Sequence, residues 1–254
     1  MATISIPTTN TGRIHSFETF GLADGPGVRF IIFLQGCAFR CRYCHNPDTW
    51  MMTGTEIEMT ASTILDRALR YRSYWGADGG ITVSGGEPLL QMDFLLDLFS
   101  RAKEADVHTC MDTSAQCFTR EGKWFEKFTA LMKWTDLVLL DIKHIDSDAH
   151  RDLTGFGNEN VLDCARYLSS IRKPVWIRHV LVPGITTDAG ALHRLADFLK
   201  TLDNVERIDI LPYHELGVYK WKTLGIPYTL DDVEPPTEEQ IAEAHSILDP
   251  CLLN

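Results

Sequence analysis

Apolar positions along this chain alternate between two periods. Residues 28–35 form a near-continuous apolar run bounded by turn residues, the pattern of a buried strand. Residues 60–74 then place Ile64, Leu65, Ala68 and Leu69 at helical spacing. Residues 81–84 read as a short strand closed by Gly85-Gly86. Residues 91–104 read as a helix with Phe94, Leu95, Leu98 and Phe99 on one face. The alternation continues with strand 107–112, helix 120–132, strand 136–142, helix 160–171, strand 175–182, helix 189–202, strand 205–211 and helix 237–248. Pro183-Gly184 stops the fifth strand, and Pro235-Pro236 precedes the last helix. Six strand-then-helix units in a row imply a parallel sheet.

Polar residues at the strand ends choose between two architectures. An open doubly wound sheet concentrates its site at one switch point, whereas a barrel gathers every strand end around one axis. Here the successive strands end at Cys37, at Gly85-Gly86-Glu87, at Asp112-Thr113 and at Asp141 and Lys143. The fifth carries Arg178 and His179, and the sixth runs into Tyr213-His214-Glu215. Chemistry at every strand end favours a barrel, and six units are too few to close an eight-fold one. The expected fold is therefore α/β, a single-domain partial (β/α)6 TIM-like barrel, open on one side. Residues 1–12 are expected to be a flexible N-terminal segment ahead of a catalytic domain over 13–254.

Composition narrows the function classes. With 254 residues, 44% hydrophobic and 23% charged, the chain can bury a sizeable core, which excludes wholesale disorder. Lys plus Arg number 24 against 35 Asp plus Glu, a net charge of −11. That field repels phosphate backbones and anionic membrane surfaces, so neither nucleic acid nor membrane is an expected partner. No apolar run approaches the roughly 18 residues of a membrane span. The N-terminal stretch also lacks the basic and apolar regions of a signal peptide, so the cytoplasm is the expected compartment. Seven cysteines are present, three of them within eight residues; in a reducing compartment this argues for a metal or cluster site over disulfides.

Those three lie in Cys37-Ala38-Phe39-Arg40-Cys41-Arg42-Tyr43-Cys44. Soft thiolates suit both zinc and iron–sulfur clusters. A structural zinc site closes with four protein ligands, and the fourth would have to be His45 or a remote cysteine. A four-iron cluster on three cysteines leaves one iron for a small molecule. Both readings stand on spacing alone. The Gly85-Gly86 pair lets the backbone approach a ligand without a Cβ, so a side chain at Gly86 is expected to intrude on whatever binds there. Asp141 and Lys143 sit at i and i+2, on one face of a strand, with Ile142 pointing the other way into packing.

The surroundings carry a resemblance. Gly25-Pro26-Gly27-Val28-Arg29, Phe33, Gly36, the three cysteines, His45 and Asn46 resemble the signature of the radical S-adenosylmethionine enzymes that activate glycyl radical enzymes. Ser84-Gly85-Gly86-Glu87-Pro88, Asp141-Ile142-Lys143, Trp176-Ile177-Arg178 and Leu211-Pro212-Tyr213-His214-Glu215-Leu216-Gly217 follow in that family's order and spacing.

The resemblance implies a [4Fe-4S] cluster on Cys37, Cys41 and Cys44, with S-adenosylmethionine on the remaining iron. It implies that Gly85, Gly86 and Glu87 hold the methionyl amino group. Asp141, Ile142 and Lys143 serve the ribose and carboxylate. Tyr43 and His45, flanking Cys44, pack against adenine, with His214 across the nucleoside. Arg178 and Asp112 are candidates for the cofactor or for a monovalent cation near it, and Asp24 for facing a protein substrate. No side chain is implied as a general base. The implied protein substrate is pyruvate formate-lyase, since no cysteine lies between Cys44 and Gly85, where several relatives carry a ferredoxin-like insert. The implied electron donor is flavodoxin or ferredoxin, and the chain is expected to be a monomer. Ser114-Ala115 departs from the family, which commonly has a glycine after Asp112-Thr113. Three alternatives remain: an activase of another glycyl radical enzyme, a radical S-adenosylmethionine enzyme for a small molecule, and a zinc-stabilised interaction module. Cys110 and Cys164 read as small core hydrophobes, Cys117 and Cys251 as loop or tail thiols.

Overall fold

The alternating periods fold into alternating elements. A computed structural model describes residues 10–53 and 57–252. The strands are β1 (Thr11–Gly21), β2 (Arg29–Leu34), β3 (Ile57–Thr60), β4 (Gly80–Gly85), β5 (His108–Thr113), β6 (Leu137–Asp141), β7 (Val175–Leu181) and β8 (Val205–Pro212). The helices are α1 (Ala61–Leu69), α2 (Met92–Glu104), α3 (Gly122–Met132), α4 (Ser147–Thr154), α5 (Glu159–Ser170), α6 (Ala189–Leu199), α7 (Val218–Leu224) and α8 (Glu238–Leu248). The strand order is β3-β1-β2-β4-β5-β6-β7-β8. Pairs β2–β4, β4–β5 and β7–β8 are parallel, whereas β1 runs antiparallel to both β2 and β3. The sheet is open: the described residues place β3 and β8 at its two ends. The fold is thus α/β and mostly parallel, as expected.

The chain groups into two compact units. The first holds the described residues within 1–37, 51–113 and 119–139; the second holds those within 38–50, 114–118 and 140–254. In the first, β2 lies between β1 and β4, and Phe30, Ile31, Ile32 and Leu34 are fully buried. Burial on both faces is why its sequence reads as an unbroken apolar run. Helix α2 buries Phe94, Leu95, Leu98 and Phe99, the face read from its spacing. Thr60 caps α1, its hydroxyl accepting from the Thr63 amide at 3.3 Å. In the second unit, β7 alternates strictly, with Val175, Ile177, His179 and Leu181 buried. Helix α8 opens with a reciprocal capping box between Thr237 and Gln240.

Several boundaries differ from the pattern. The helix expected over 60–74 ends at Leu69, followed by a single 3-10 turn, Arg72–Tyr74. Two strands and two helices, β1, β3, α4 and α7, add to the six units. Residues 1–9 of the expected N-terminal segment lie outside the described residues, and β1 begins at Thr11. Only Gly12, Ile14 and Gly21 of β1 are buried, so it shows no apolar run. No described helix is long and apolar enough to cross a membrane.

Candidate functional site

In the first unit, the residues singled out stand at the ends of β2, β4 and β5. Beyond β2 the chain continues through Gln35 and Gly36 to Cys37. The Gln35 side chain donates to the Met51 carbonyl at 2.8 Å, and Gln91 donates to the Gln35 carbonyl at 2.8 Å. Alongside runs the end of β4. The Gly86 amide donates to the Leu34 carbonyl at 2.9 Å and the Glu87 amide to the Gly36 carbonyl at 2.6 Å. Gly85 sits at φ +116, and a Cβ there would overlap the Leu34 backbone. A Cβ on Gly86 would overlap the Gly36 carbonyl. A side chain at Gly86 would therefore also meet the chain's own backbone, one residue before Cys37.

Glu87 is fully buried. Its Oε1 accepts from the Leu89 amide at 3.0 Å and from the Thr113 hydroxyl at 2.6 Å, so it caps the turn after β4 and ties that turn to the end of β5. Asp112 Oδ2 accepts from Ser84 Oγ at 2.6 Å, a second tie between the same strand ends. Asp24 is half-buried, and its carbonyl accepts from the Thr82 hydroxyl at 2.6 Å.

The second unit holds Cys41 and Cys44 and surrounds them with two helices that periodicity did not show. The Arg40 and Arg42 amides donate to the Thr154 and Leu153 carbonyls at 2.8 and 3.0 Å, using the open C-terminal acceptors of α4. Phe39, buried, packs its ring on His150 and Phe156 at 5.3 and 5.9 Å. On the other side stands α7. Trp221 Nε1 donates to the Cys44 carbonyl at 2.8 Å, and Lys220 donates to Asn46 Oδ1 at 2.7 Å while pairing with Asp48 at 3.0 Å. The Cys44 thiol accepts from the Asn46 amide and from the Trp50 indole. Burial pushes its pKa up, and these two hydrogen bonds oppose that.

Around them lie the other residues the sequence singled out. Tyr43 is buried, and its hydroxyl finds no hydrogen-bond partner among the described residues. Its ring is 5.7 Å from Lys143 Nζ. Lys143 pairs with Asp141 at 2.7 Å. Burial pulls the Lys143 pKa down, but the Asp141 carboxylate and the neighbouring Tyr43 outweigh it and hold it well above the ordinary value. Ile142 is fully buried, its amide donating to the Arg178 carbonyl at 3.0 Å and its carbonyl meeting His179 Nδ1 at 2.8 Å. Arg178, half-buried on β7, is in register with Asp209 of β8. His45 and His214 stack directly, centroids 4.2 Å apart, and His45 Nε2 donates to the His214 carbonyl at 3.1 Å. A ring lying between these two imidazoles would have to part them.

Among the described residues no three His, Cys, Asp or Glu side chains are grouped as a mononuclear metal ion requires. The fit to a cluster rests instead on donor chemistry. Three soft thiols share one loop, and N–H donors reach the Cys44 sulfur, as they do at sulfur ligands of iron–sulfur centres. The buried, unsatisfied Tyr43 hydroxyl marks a place for a polar group from outside the chain. These residues fit the group. Trp50, Lys220 and Trp221 were not legible as site residues, because the tryptophans show no spacing of their own; the signal was their nearness to the cysteine and His214 motifs. Cys110 and Cys164 are fully buried, as expected of small core residues.

Known proteins bear on this geometry. The profile of the Radical SAM superfamily matches residues 31–196. The chain is 54% identical over 239 residues to the pyruvate formate-lyase-activating enzyme of Streptococcus mutans, covering 94% of this chain and 91% of that protein. It is 52% identical to that of Listeria monocytogenes, covering 94% and 96%. Among solved structures, a domain of pyruvate-formate lyase-activating enzyme from Bacteroides vulgatus superposes with a TM-score of 0.56 at 29% identity, over 68% of this chain and 94% of that one. Streptococcus suis SuiB bound to S-adenosylmethionine shares the fold, with a TM-score of 0.63 at 17% identity over 84% of this chain and 45% of that one. The chain belongs to the radical SAM superfamily and, within it, to the family of the pyruvate formate-lyase-activating enzymes.

Proposed function

We propose that this chain activates pyruvate formate-lyase under anaerobic conditions by placing a radical on one of its glycines. The observation that carries the reading is identity above one half with activating enzymes over nearly the whole length of both chains, with the cysteine loop intact. When bound, the [4Fe-4S] cluster and S-adenosylmethionine of this superfamily would supply one-electron, radical chemistry for hydrogen-atom abstraction from that glycine.

The chain's own residues bind, orient and exclude water. Cys37, Cys41 and Cys44 would each give one thiolate to the cluster, leaving it open to S-adenosylmethionine. Gly85, Gly86 and Glu87 shape the methionyl end. Asp141 and Lys143 serve the ribose and carboxylate, with Ile142 fixing their strand end against β7. Tyr43, His45 and His214 lie at the adenine end. Asp112 and Arg178 complete the cofactor contacts or hold a monovalent cation. Asp24 faces the protein substrate. No side chain acts as a general base, because the hydrogen leaves as an atom.

Residues 13–254 act as one catalytic domain. The electron donor is flavodoxin or ferredoxin, and the protein works as a cytoplasmic monomer. Anaerobic reconstitution followed by metal analysis tests the cofactor reading. About four irons and four sulfides per chain are expected of a single cluster. One zinc and no sulfide would replace it with the zinc-module alternative.

A further inference from the structure

Ile142 stands between Asp141 and Lys143, and both of its peptide groups are held from β7. Its amide donates to the Arg178 carbonyl at 3.0 Å. Its carbonyl lies 2.8 Å from His179 Nδ1. A carbonyl only accepts, so Nδ1 carries the proton and donates it. His179 is 3% exposed and occupies a place in the row that Val175, Ile177 and Leu181 fill with apolar side chains. A polar ring in such a row costs free energy unless it is hydrogen-bonded, and the bond it makes is to this carbonyl.

Strand β6 ends at Asp141, and carbonyls that follow are met by buried side chains. His179 meets that of Ile142, and Asn158 Nδ2 donates to those of His144, at 3.0 Å, and Ile145. With the Ile142 carbonyl fixed, the planar peptide leading into Lys143 cannot turn, and the Lys143 side chain leaves the backbone in one direction. Its ammonium then pairs with Asp141 at 2.7 Å. We propose that His179 is a positioning residue for S-adenosylmethionine binding: its Nδ1–H, donated to the Ile142 carbonyl, fixes the peptide that carries Lys143, so that Lys143 and Asp141 meet the cofactor as a preset pair. The inference rests on the reading of Asp141 and Lys143 as cofactor contacts.

The test is equilibrium dialysis of S-adenosylmethionine against the anaerobically reconstituted protein, beside steady-state cleavage of the cofactor with a chemical reductant. His179→Leu keeps the bulk and removes the donor. The expected result is full iron and sulfide, S-adenosylmethionine bound about tenfold more weakly, and KM raised by a similar factor with kcat held. His179→Asn places an amide nitrogen where Nδ1 stood and should restore affinity. His179→Gln places it further out, where Nε2 stood, and should not. Asn204 donates to the Lys173 carbonyl at 2.6 Å, ahead of the other end of β7. Asn204→Leu should lower the unfolding midpoint and leave the affinity unchanged. Wild-type affinity in His179→Leu overturns the proposal, and so does an equal loss in Asn204→Leu, which would make the effect one of stability alone. Should His179→Leu fail to fold, the other two variants decide: tight binding by His179→Asn with weak binding by His179→Gln supports the proposal, and equal affinities overturn it. Lys143→Met that binds as tightly as the wild type defeats the reading of the site itself, a result distinct from a Lys143 effect that His179 does not share.

Discussion

Gly86 and Gly36 meet backbone to backbone: the Glu87 amide donates to the Gly36 carbonyl at 2.6 Å, and a Cβ on Gly86 would overlap that same carbonyl oxygen. Gly36 precedes Cys37, so the glycine pair after β4 sets where the first cysteine stands. We predict that Gly86→Val loses the cluster together with S-adenosylmethionine affinity, since the β2 end must move to admit the side chain. Iron analysis beside a binding titration reads both. Full iron content with only cofactor affinity reduced would show that the side chain meets the ligand first.

Each of Cys37→Ala, Cys41→Ala and Cys44→Ala should abolish the site-differentiated cluster and all cleavage of S-adenosylmethionine. Cys117→Ala and Cys251→Ala should keep both. Iron, sulfide and 5′-deoxyadenosine are measured on the five proteins. Normal turnover in one of the first three removes that cysteine from the ligand set.

Thr113→Val keeps the shape of the β5 end but deletes the hydroxyl donated to Glu87 Oε1. The fully buried carboxylate then loses a short hydrogen bond, which costs about 1–3 kcal/mol. Urea unfolding of the two proteins under identical anaerobic conditions measures this. Equal midpoints would mean that Glu87 is satisfied without the β5 tie.

Burial, and secondarily the neighbouring Arg29, push the His108 pKa down from its ordinary value to about 4. Arg29 lies 3.2 Å from His108 Nδ1 and donates to it, which needs a neutral ring. The unfolded chain binds a proton near pH 6.5 that the folded chain refuses until about pH 4. This contribution to stability is complete above pH 6.5 and is lost as pH falls towards 4. Between pH 7 and 5, where most carboxylates stay ionised, the wild type should lose stability more steeply than His108→Gln. Parallel slopes would refute the assignment.

The parallel core was legible because burial on both faces writes itself as apolar runs, as in Phe30, Ile31 and Ile32. Helices that cover the sheet with a wide apolar face, such as α2 with Phe94, Leu95, Leu98 and Phe99, were legible for the same reason. Helices α4 and α7 were not. Of α4 only His150, Leu153 and Thr154 are buried, and of α7 only Trp221, so neither shows a stripe. Yet these two hold the cysteine loop, α4 through its terminal carbonyls and α7 through one indole and one ammonium. Their contacts are polar and specific to single residues, and hydrophobic periodicity does not encode such contacts. The cysteine loop and the strand-end motifs could be read as residues, but their partners could not. The stacking of His45 on His214 and the tie from Glu87 to Thr113 depend on tertiary placement.

The central claim is tested most directly by incubating the reconstituted protein anaerobically with a one-electron reductant, S-adenosylmethionine and pyruvate formate-lyase whose glycines are deuterated at the α-carbon. Paramagnetic resonance and mass analysis follow the reaction. The account predicts a glycyl radical on the partner and one deuterium carried into each 5′-deoxyadenosine formed, and it predicts neither when the target glycine is replaced by alanine. Cleavage of S-adenosylmethionine with no glycyl signal and no deuterium transfer, alongside efficient turnover of a free small metabolite, would contradict it.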